Sequence, residues 1–148
     1  MAVVGYTTGV FDVFHIGHLN ILKNAKKHCD YLIVGVSTDE VVQKNKRKTP
    51  IIPFEERKAI VEAIRYVDKV VPQTGYDIDT KIRAVTDNKI DVMFVGSDWE
   101  GTEKWKAIEK ELAKYGTRVE YLPHTDGISS TMLTEVLKNL YDNKKQEE

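Results

Sequence analysis

The chain has 148 residues, one domain's worth, enough to bury a core and too short for two large domains. Its 22 basic and 23 acidic residues leave a formal net charge of −1, which argues against a generic nucleic-acid binder, while 41% apolar and 30% charged residues are the balance of an ordinary globular protein. The single cysteine, Cys29, excludes an intramolecular disulfide and a multi-cysteine metal site; no apolar run approaches the ~18 residues of a membrane span, and the apolar start lacks a basic leader and soon meets Asp12, His15 and His18, so a cytoplasmic protein is expected, with no signal peptide and no membrane association.

In chain order, Ala2 to Thr7 reads as a strand. His18 to His28 carries Leu19, Ile21, Leu22 and Ala25 at helical spacing. Tyr31 to Val36 is a continuous apolar run, the pattern of a strand buried on both faces. Lys44 to Pro50 holds Lys44, Lys46, Arg47 and Lys48 with poor periodicity and reads as a mobile basic loop. Phe54 to Val67 is helical, Lys69 to Pro72 a short strand, Ile78 to Asn88 a helix with Ile82 and Val85 inward. Asp91 to Gly96 is a second buried strand, Thr102 to Tyr115 an amphipathic helix ended by Gly116, and Arg118 to Leu122 a strand. Ser129 to Tyr141 reads as the last helix, capped by Ser129 or Ser130. Strands alternating with helices imply right-handed crossovers and an α/β fold: a Rossmann-like, doubly wound parallel sheet of five strands in a single domain, residues 1–142, with a polar tail at 143–148 that frays. In such sheets ligands bind beyond the carboxyl ends of the strands.

Two segments at that edge carry chemistry. The first strand runs into Thr8-Gly9-Val10-Phe11-Asp12-Val13-Phe14-His15-Ile16-Gly17-His18, which opens the first helix. A helix N-terminus offers free N–H groups and a positive dipole end, both suited to phosphate. His15 and His18 are three apart and share a helical face, each able to donate a hydrogen bond to a phosphate oxygen. Gly17 removes a side chain between them, and Gly9 permits the turn off the strand. The second segment, Pro123-His124-Thr125-Asp126-Gly127-Ile128-Ser129-Ser130-Thr131, sets hydroxyls at the start of the last helix.

Together these segments resemble the glycerol-3-phosphate type of cytidylyltransferase, within the HxGH nucleotidyltransferase superfamily. The resemblance runs from Val4 to Val136 and includes Gly9 to His18, Asp30 to Val34, Ser37 to Glu40, Glu56-Arg57-Lys58, Arg65 to Val70, Ser97-Asp98-Trp99-Glu100-Gly101 and Gly127 to Thr131. It implies a reaction in which an acceptor phosphate attacks the α-phosphorus of CTP and pyrophosphate leaves. It implies contacts to the triphosphate from His15 and His18, ordering of the loop by Asp12, and closure over the phosphates by Lys46 or Lys48. Arg57 falls where the family places an arginine for acceptor or phosphate, Arg65 and Asp68 near the active site and a two-fold interface, and Asp98 where the nucleotide is recognised. Ser129, Ser130 and Thr131 match hydroxyls that hold phosphate. The expected catalytic set is therefore His15, His18, Lys46, Ser129 and Thr131. The binding set is Gly9, Val10, Phe11, Asp12, Gly17, Lys48, Arg57, Arg65, Asp98, His124, Thr125, Gly127, Ile128 and Ser130. The resemblance further implies a homodimer, and a Mg²⁺ ion held through the CTP phosphates with no metal cage of protein ligands.

The chain departs from the family at three of these places. His124 stands where an arginine is usual, Val10 where a threonine is usual, and Ile16 where the nearest relatives have tryptophan; these leave the phosphorylated acceptor open among glycerol 3-phosphate, ethanolamine phosphate, choline phosphate and similar alcohols. The His-Ile-Gly-His string also occurs in class I aminoacyl-tRNA synthetases, but those need a longer chain and a Lys-Met-Ser-Lys-Ser-like loop that is absent here. An adenylyltransferase of the same superfamily would carry arginine where Thr134 stands, which favours CTP over ATP. A nucleotide-binding regulator without catalysis, with His124 as the lesion, is opposed by the intact histidine pair and the basic loop.

Overall fold

The computed structural model describes residues 2–123 and 135–140. Five strands, β1 (Val4–Gly9), β2 (Tyr31–Ser37), β3 (Lys69–Gln73), β4 (Val92–Gly96) and β5 (Arg118–Leu122), form one sheet in the order β3-β2-β1-β4-β5 with every pairing parallel. Helices α1 (Ile16–Lys27), α2 (Asp39–Lys46), α3 (Phe54–Glu62), α4 (Ile78–Asp87) and α5 (Glu103–Ala113) supply the crossovers, and residues 135–140 are helical again. This is the Rossmann-like α/β fold that the alternation of strands and helices predicts.

Two cores lie on the two faces of the sheet. On one, Leu22 and Ala25 of α1 and Val61 of α3 pack on Leu32, Val34, Val36, Val92 and Phe94. On the other, Val85 of α4 and Trp105, Ile108 and Leu112 of α5 pack on Tyr6, Ile33 and Met93. The interior strand β2, between β3 and β1, is buried from Leu32 to Ser37, as its unbroken apolar run requires. Side-chain caps fix the helix starts: Thr38 accepts from Val41 N, Asp77 from Thr80 N and Thr102 from Trp105 N. Gly116, at φ +81°, follows α5 in the left-handed conformation that ends many helices.

The boundaries differ from the sequence expectations in three places. β1 starts and ends two residues later than the reading of Ala2 to Thr7. The expected basic loop is in part a helix: α2 runs to Lys46 on only two buried apolar residues, Val41 and Val42, because its Thr38 cap, acidic first turn (Asp39, Glu40) and basic last turn (Lys44, Lys46) all suit the helix dipole. α3 ends at Glu62 rather than Val67, and the chain continues in tighter turns, with Ile64 N donating to Val61 O and Val67 N to Ile64 O.

The unequal pairing of β1 with its two neighbours positions the cleft. β1 pairs with β2 over its whole length, from Val4↔Tyr31 to Gly9↔Val36, but with β4 only at Gly5↔Val92 and Tyr6↔Met93. The chain winds outward from β1 in one direction through β2 and β3, then in the other through β4 and β5, so this early end of pairing falls at the switch point of the sheet. The carboxyl ends of β1 and β4 are thus free to border a cleft.

The packing below the cleft is tight. A Cβ built on Gly5 would lie 2.5 Å from the Phe94 ring and 2.8 Å from Cys29 Sγ. We expect Gly5→Ala to destabilise the fold by about 1–3 kcal/mol, the usual cost of overpacking, read by urea unfolding; an unchanged unfolding midpoint would contradict this packing.

Candidate active site

The β1–α1 loop is built under strain and held from below. Phe11 (φ 55°) and Val13 (φ 48°) occupy the left-handed region, which is costly for a β-branched residue, on the order of 1–3 kcal/mol. Two buried charges hold them there. The Asp12 carboxylate accepts from Val13 N (3.1 Å), Ile51 N (2.8 Å) and Ile52 N (2.9 Å). The Arg57 guanidinium, 1% exposed, donates to Val10 O (2.7 Å), Ser37 O (2.7 Å) and Ile52 O (2.8 Å) and pairs with Asp39 Oδ1 at 2.7 Å. The loop, the end of β2, the start of α2 and the entry to α3 are thereby tied to one side chain.

On this base the histidines cap α1. His15 is the N-cap: its Nδ1 accepts from Gly17 N at 3.0 Å, while its own N–H donates to His18 Nδ1 at 3.2 Å. The rings lie 4.1 Å apart, with Phe11 and Phe14 against His18. A ring nitrogen that accepts a backbone N–H carries no proton, so both imidazoles hold theirs on Nε2. His15 Nε2 is buried and has no hydrogen-bond partner among the described residues. A buried donor without an acceptor is expensive, and this one sits at a helix N-terminus where an anion is favoured. Burial first, and the neighbouring His15 second, depress the pKa of His18 to about 4 against the opposing pull of Asp12. His18 is therefore a neutral N–H donor at pH 7.

Alongside lies a cavity of about 430 Å³, within the usual size of a small-molecule site. Thr7 to Gly9 of β1 with the following Val10, and Phe94 to Gly96 of β4, form its floor where their pairing has ended, with Ser37, Gln73, Leu122 and Pro123 from the other strand ends. Ile21 and Asn24 of α1 complete that side, and His18 lies one turn before Ile21 on the same helix. The lining combines aromatic plates, Tyr76, Trp99 and Trp105, with three lysines, Lys46, Lys81 and Lys104, and among the described residues it holds no carboxylate. Lys46 Nζ stands 5.7 Å from the Tyr76 ring centre; its pKa is lowered by desolvation first and by Lys48 second. The Tyr76 hydroxyl donates to Ser37 Oγ (3.0 Å), which donates to Gln73 Oε1 (2.8 Å). Flat apolar walls beside clustered cations suit a ligand that is an aromatic ring at one end and an anion at the other.

Of the residues expected from sequence, Gly9, Val10 and Lys46 line the cavity. His15, Gly17 and His18 form the start of α1, and Phe11 and Asp12 are buried within the β1–α1 loop, all five outside the lining. Asp98 is in the single helical turn Ser97–Trp99 that follows β4, next to the lining Trp99. Lys48 and Arg65 are exposed and outside the lining. Arg57, expected to meet a ligand, is instead buried against protein oxygens. His124, Thr125, Gly127, Ile128, Ser129, Ser130 and Thr131, and the tail 143–148, lie outside the described residues. The sequence reading missed Ser37, Gln73, Tyr76, Lys81, Trp99, Lys104 and Trp105 as cavity residues. One signal was present: Lys81 falls at an inward position of α4, between Ile78 and Val85.

The chain matches the cytidylyltransferase-like family over residues 6–136. It is 40% identical to a glycerol-3-phosphate cytidylyltransferase of Bacillus subtilis over 90% of this chain and 96% of that protein. It is also 40% identical to the Staphylococcus aureus protein of the same name, over 88% of this chain and 92% of that one. Among solved structures, a lipopolysaccharide core biosynthesis protein from Thermoplasma volcanium superposes with a TM-score of 0.68 at 26% identity, covering 86% of this chain and all of that one.

The low pKa of His18 has a measurable consequence. In an NMR titration its ring signals should stay unchanged from pH 8 to 5.5 and move with a midpoint near 4. The unfolded chain takes up this proton at the ordinary histidine pKa of about 6.5, so the contribution of His18 to stability is complete above that pH and is lost as pH falls toward 4. A titration midpoint at the ordinary value would contradict the burial argument.

Proposed function

Because this chain belongs to the cytidylyltransferase-like family and is a nucleotidyltransferase, we propose that it transfers CMP from CTP to glycerol 3-phosphate, giving CDP-glycerol and pyrophosphate. The observation that carries this reading is the buried, unpartnered His15 Nε2–H at the start of α1, beside a cleft whose charged lining is three lysines. The relatives named glycerol-3-phosphate cytidylyltransferase, at 40% identity over most of the chain, support the choice of nucleotide and acceptor.

In the reaction a phosphate oxygen of the acceptor forms a bond to the α-phosphorus of CTP, and the bond from that phosphorus to the bridging oxygen of pyrophosphate breaks, the electron pair leaving with pyrophosphate. No proton need move to the protein. The chain's task is to align two anions and to spread the charge of the five-coordinate transition state. In our reading His15 and His18 donate Nε2–H bonds to phosphate oxygens, and the α1 N-terminus with Gly17 lets the triphosphate approach the backbone. Lys46, at the end of α2, closes over the reacting phosphates, with Lys48 as the further cation of the same segment. Ser129, Ser130 and Thr131, with His124, Thr125, Gly127 and Ile128, hold the nucleotide, and Asp98 recognises it. Arg65 belongs to a two-fold interface of a homodimer. We place the enzyme in the cytoplasm, where CTP is made; no helix among the described residues is long and apolar enough to cross a membrane.

In this reading a divalent ion enters with the substrate. Among the described residues no group of three or more His, Cys, Asp or Glu side chains could hold a metal, and the cavity lining is neutral or basic. Mg²⁺ bound to the triphosphate oxygens would neutralise the leaving pyrophosphate.

Two measurements test the reading. With CTP, Mg²⁺ and glycerol 3-phosphate the protein should release pyrophosphate and form CDP-glycerol, with ATP a poor substitute. His15→Ala should lower kcat by about a hundredfold to a thousandfold, the usual cost of one transition-state donor, a far larger effect than the loss of about 0.5–2 kcal/mol of stability expected from removing its cap on Gly17 N. Near-normal turnover in that variant, or a preference for ATP, would refute it. Sedimentation should show a dimer, with Arg65→Ala weakening both assembly and activity; a fully active monomer would refute the interface.

A further inference from the structure

Tyr76 is held more firmly than its place in the chain requires. It sits in the segment between β3 and α4 and belongs to neither of the two cores. Yet both of its ends are tied. Its carbonyl oxygen accepts from the Nζ of Lys81. Its hydroxyl donates to Ser37 Oγ at 3.0 Å, and the fully buried Ser37 donates in turn to Gln73 Oε1 at 2.8 Å. The turn on either side is fixed as well. The Asp77 carboxylate accepts from the N–H and the hydroxyl of Thr80, and a Cβ on Gly75 would lie 2.6 Å from both Asp77 Oδ1 and Thr80 Oγ1. A phenol ring bound at both ends keeps one orientation, at a cost in conformational entropy that a solvated loop would not bear.

The ring stands between the two ends of α2. Ser37 ends β2, and the next residue, Thr38, caps α2 while its N–H donates to Gln73 O at 3.1 Å. Lys46 is the last residue of α2, and its Nζ lies 5.7 Å from the centre of the Tyr76 ring, within the reach of a cation–π contact. α2 needs such support. Its eight residues are well under the roughly 12–15 that an isolated helix needs in water, and only Val41 and Val42 are buried. Its start is secured by the Thr38 cap and by the pairing of Asp39 with Arg57. Its end has a bond from Asn45 Nδ2 to Val41 O, a left-handed Arg47 at φ 52°, and the ring. The cavity that Lys46 lines offers it no carboxylate among the described residues, and Lys48, two positions on, is a like charge.

We propose that Tyr76 is a positioning residue for Lys46: one fixed ring, anchored on Ser37, braces the end of α2 and keeps the Lys46 ammonium at the cleft before any nucleotide arrives. The use made of Lys46 rests on the reaction read above; the brace is a property of the protein alone. A lysine head on its flexible stem would otherwise sample many positions outside the cleft. The brace also joins Lys46 to the junction that Arg57 organises, since Ser37 O accepts from the Arg57 guanidinium at 2.7 Å. The loop that carries the histidines and the lysine at the end of α2 are thereby set by one connected group of side chains.

Kinetics and NMR test the two parts separately. Tyr76→Leu removes the ring face and the hydroxyl, whereas Tyr76→Phe keeps the face and loses only the bond to Ser37. With CTP, Mg²⁺ and glycerol 3-phosphate, Tyr76→Leu should lower kcat about fivefold to thirtyfold, the worth of a partly desolvated cation–π contact. KM for both substrates should stay within about twofold, and Tyr76→Phe should recover most of the loss. A double-mutant cycle with Lys46→Gln distinguishes positioning from a general structural role. Once Lys46→Gln is in place, Tyr76→Leu should cost nothing further. Effects on kcat that multiply, or a raised KM for glycerol 3-phosphate with kcat unchanged, would overturn the assignment. In ligand-free protein labelled with ¹³C-lysine, the ring should shift the Lys46 Cε–Hε signals upfield of those of Lys48, and Tyr76→Leu should abolish the difference. Coincident signals for the two lysines in the wild-type protein overturn the brace whatever the assay shows. If Lys46→Gln keeps full turnover while the wild-type signals are shifted, the reading of Lys46 in the reaction is wrong and the brace stands. Should Tyr76→Leu not fold, the wild-type comparison of Lys46 with Lys48 decides alone.

Discussion

A single buried guanidinium organises the working edge of this molecule. Arg57 joins the β1–α1 loop, the end of β2, the first residue of α2 and the segment entering α3 through bonds of 2.7–2.8 Å. Losing one partner of such a buried, fully hydrogen-bonded charge is costly, on the order of 3–5 kcal/mol, because the remaining groups are left dry and unpaired. Asp12 reinforces the same junction from the loop side by accepting from Ile51 and Ile52. These two charges make it possible to keep Phe11 and Val13 at positive φ, a conformation the isolated loop would not hold.

That strain has a use. It turns the chain sharply off β1 so that α1 begins beside the cleft, with Ile21 and Asn24 of the helix lining it, instead of running on in the direction of the strand. The cleft itself follows from topology. Because β1 and β4 stop pairing after Tyr6 and Met93, the sheet opens at its switch point without any large loop to line it. Electrostatics completes the site. A chain with a net charge of −1 gathers three lysines from three helices around one cavity, with no carboxylate among its described lining residues. Phosphate is therefore concentrated there by local arrangement and not by the charge of the protein as a whole.

Much of this was legible in the sequence, and the rest was hidden for identifiable reasons. The unbroken run Tyr31 to Val36 marked a strand covered on both faces, and the Gly-to-His string marked the junction where β1 gives way to the histidine-capped start of α1. Helix α2 was missed because two valines make no periodic signal, its stability coming from a cap and from terminal charges. Arg57 read as an arginine near a helix start that meets acceptor or phosphate, since nothing in a linear string tells whether an arginine points toward a ligand or beneath a loop. The aromatic and lysine wall was missed because Ser37, Tyr76, Lys81 and Trp105 come from β2, the segment after β3, α4 and α5, and only the right-handed crossovers bring them together. Lys81 on an otherwise apolar helical face was the one visible hint.

The central claim is that the cleft aligns an acceptor phosphate against the α-phosphorus of a bound nucleotide. Phosphorus NMR of a reaction containing CTP, Mg²⁺ and glycerol 3-phosphate observes that bond directly. The account predicts that the CTP signals give way to the paired diphosphate signals of CDP-glycerol and one equivalent of pyrophosphate. Formation of CDP with inorganic phosphate, of free CMP with pyrophosphate, or no change in the CTP signals would contradict it.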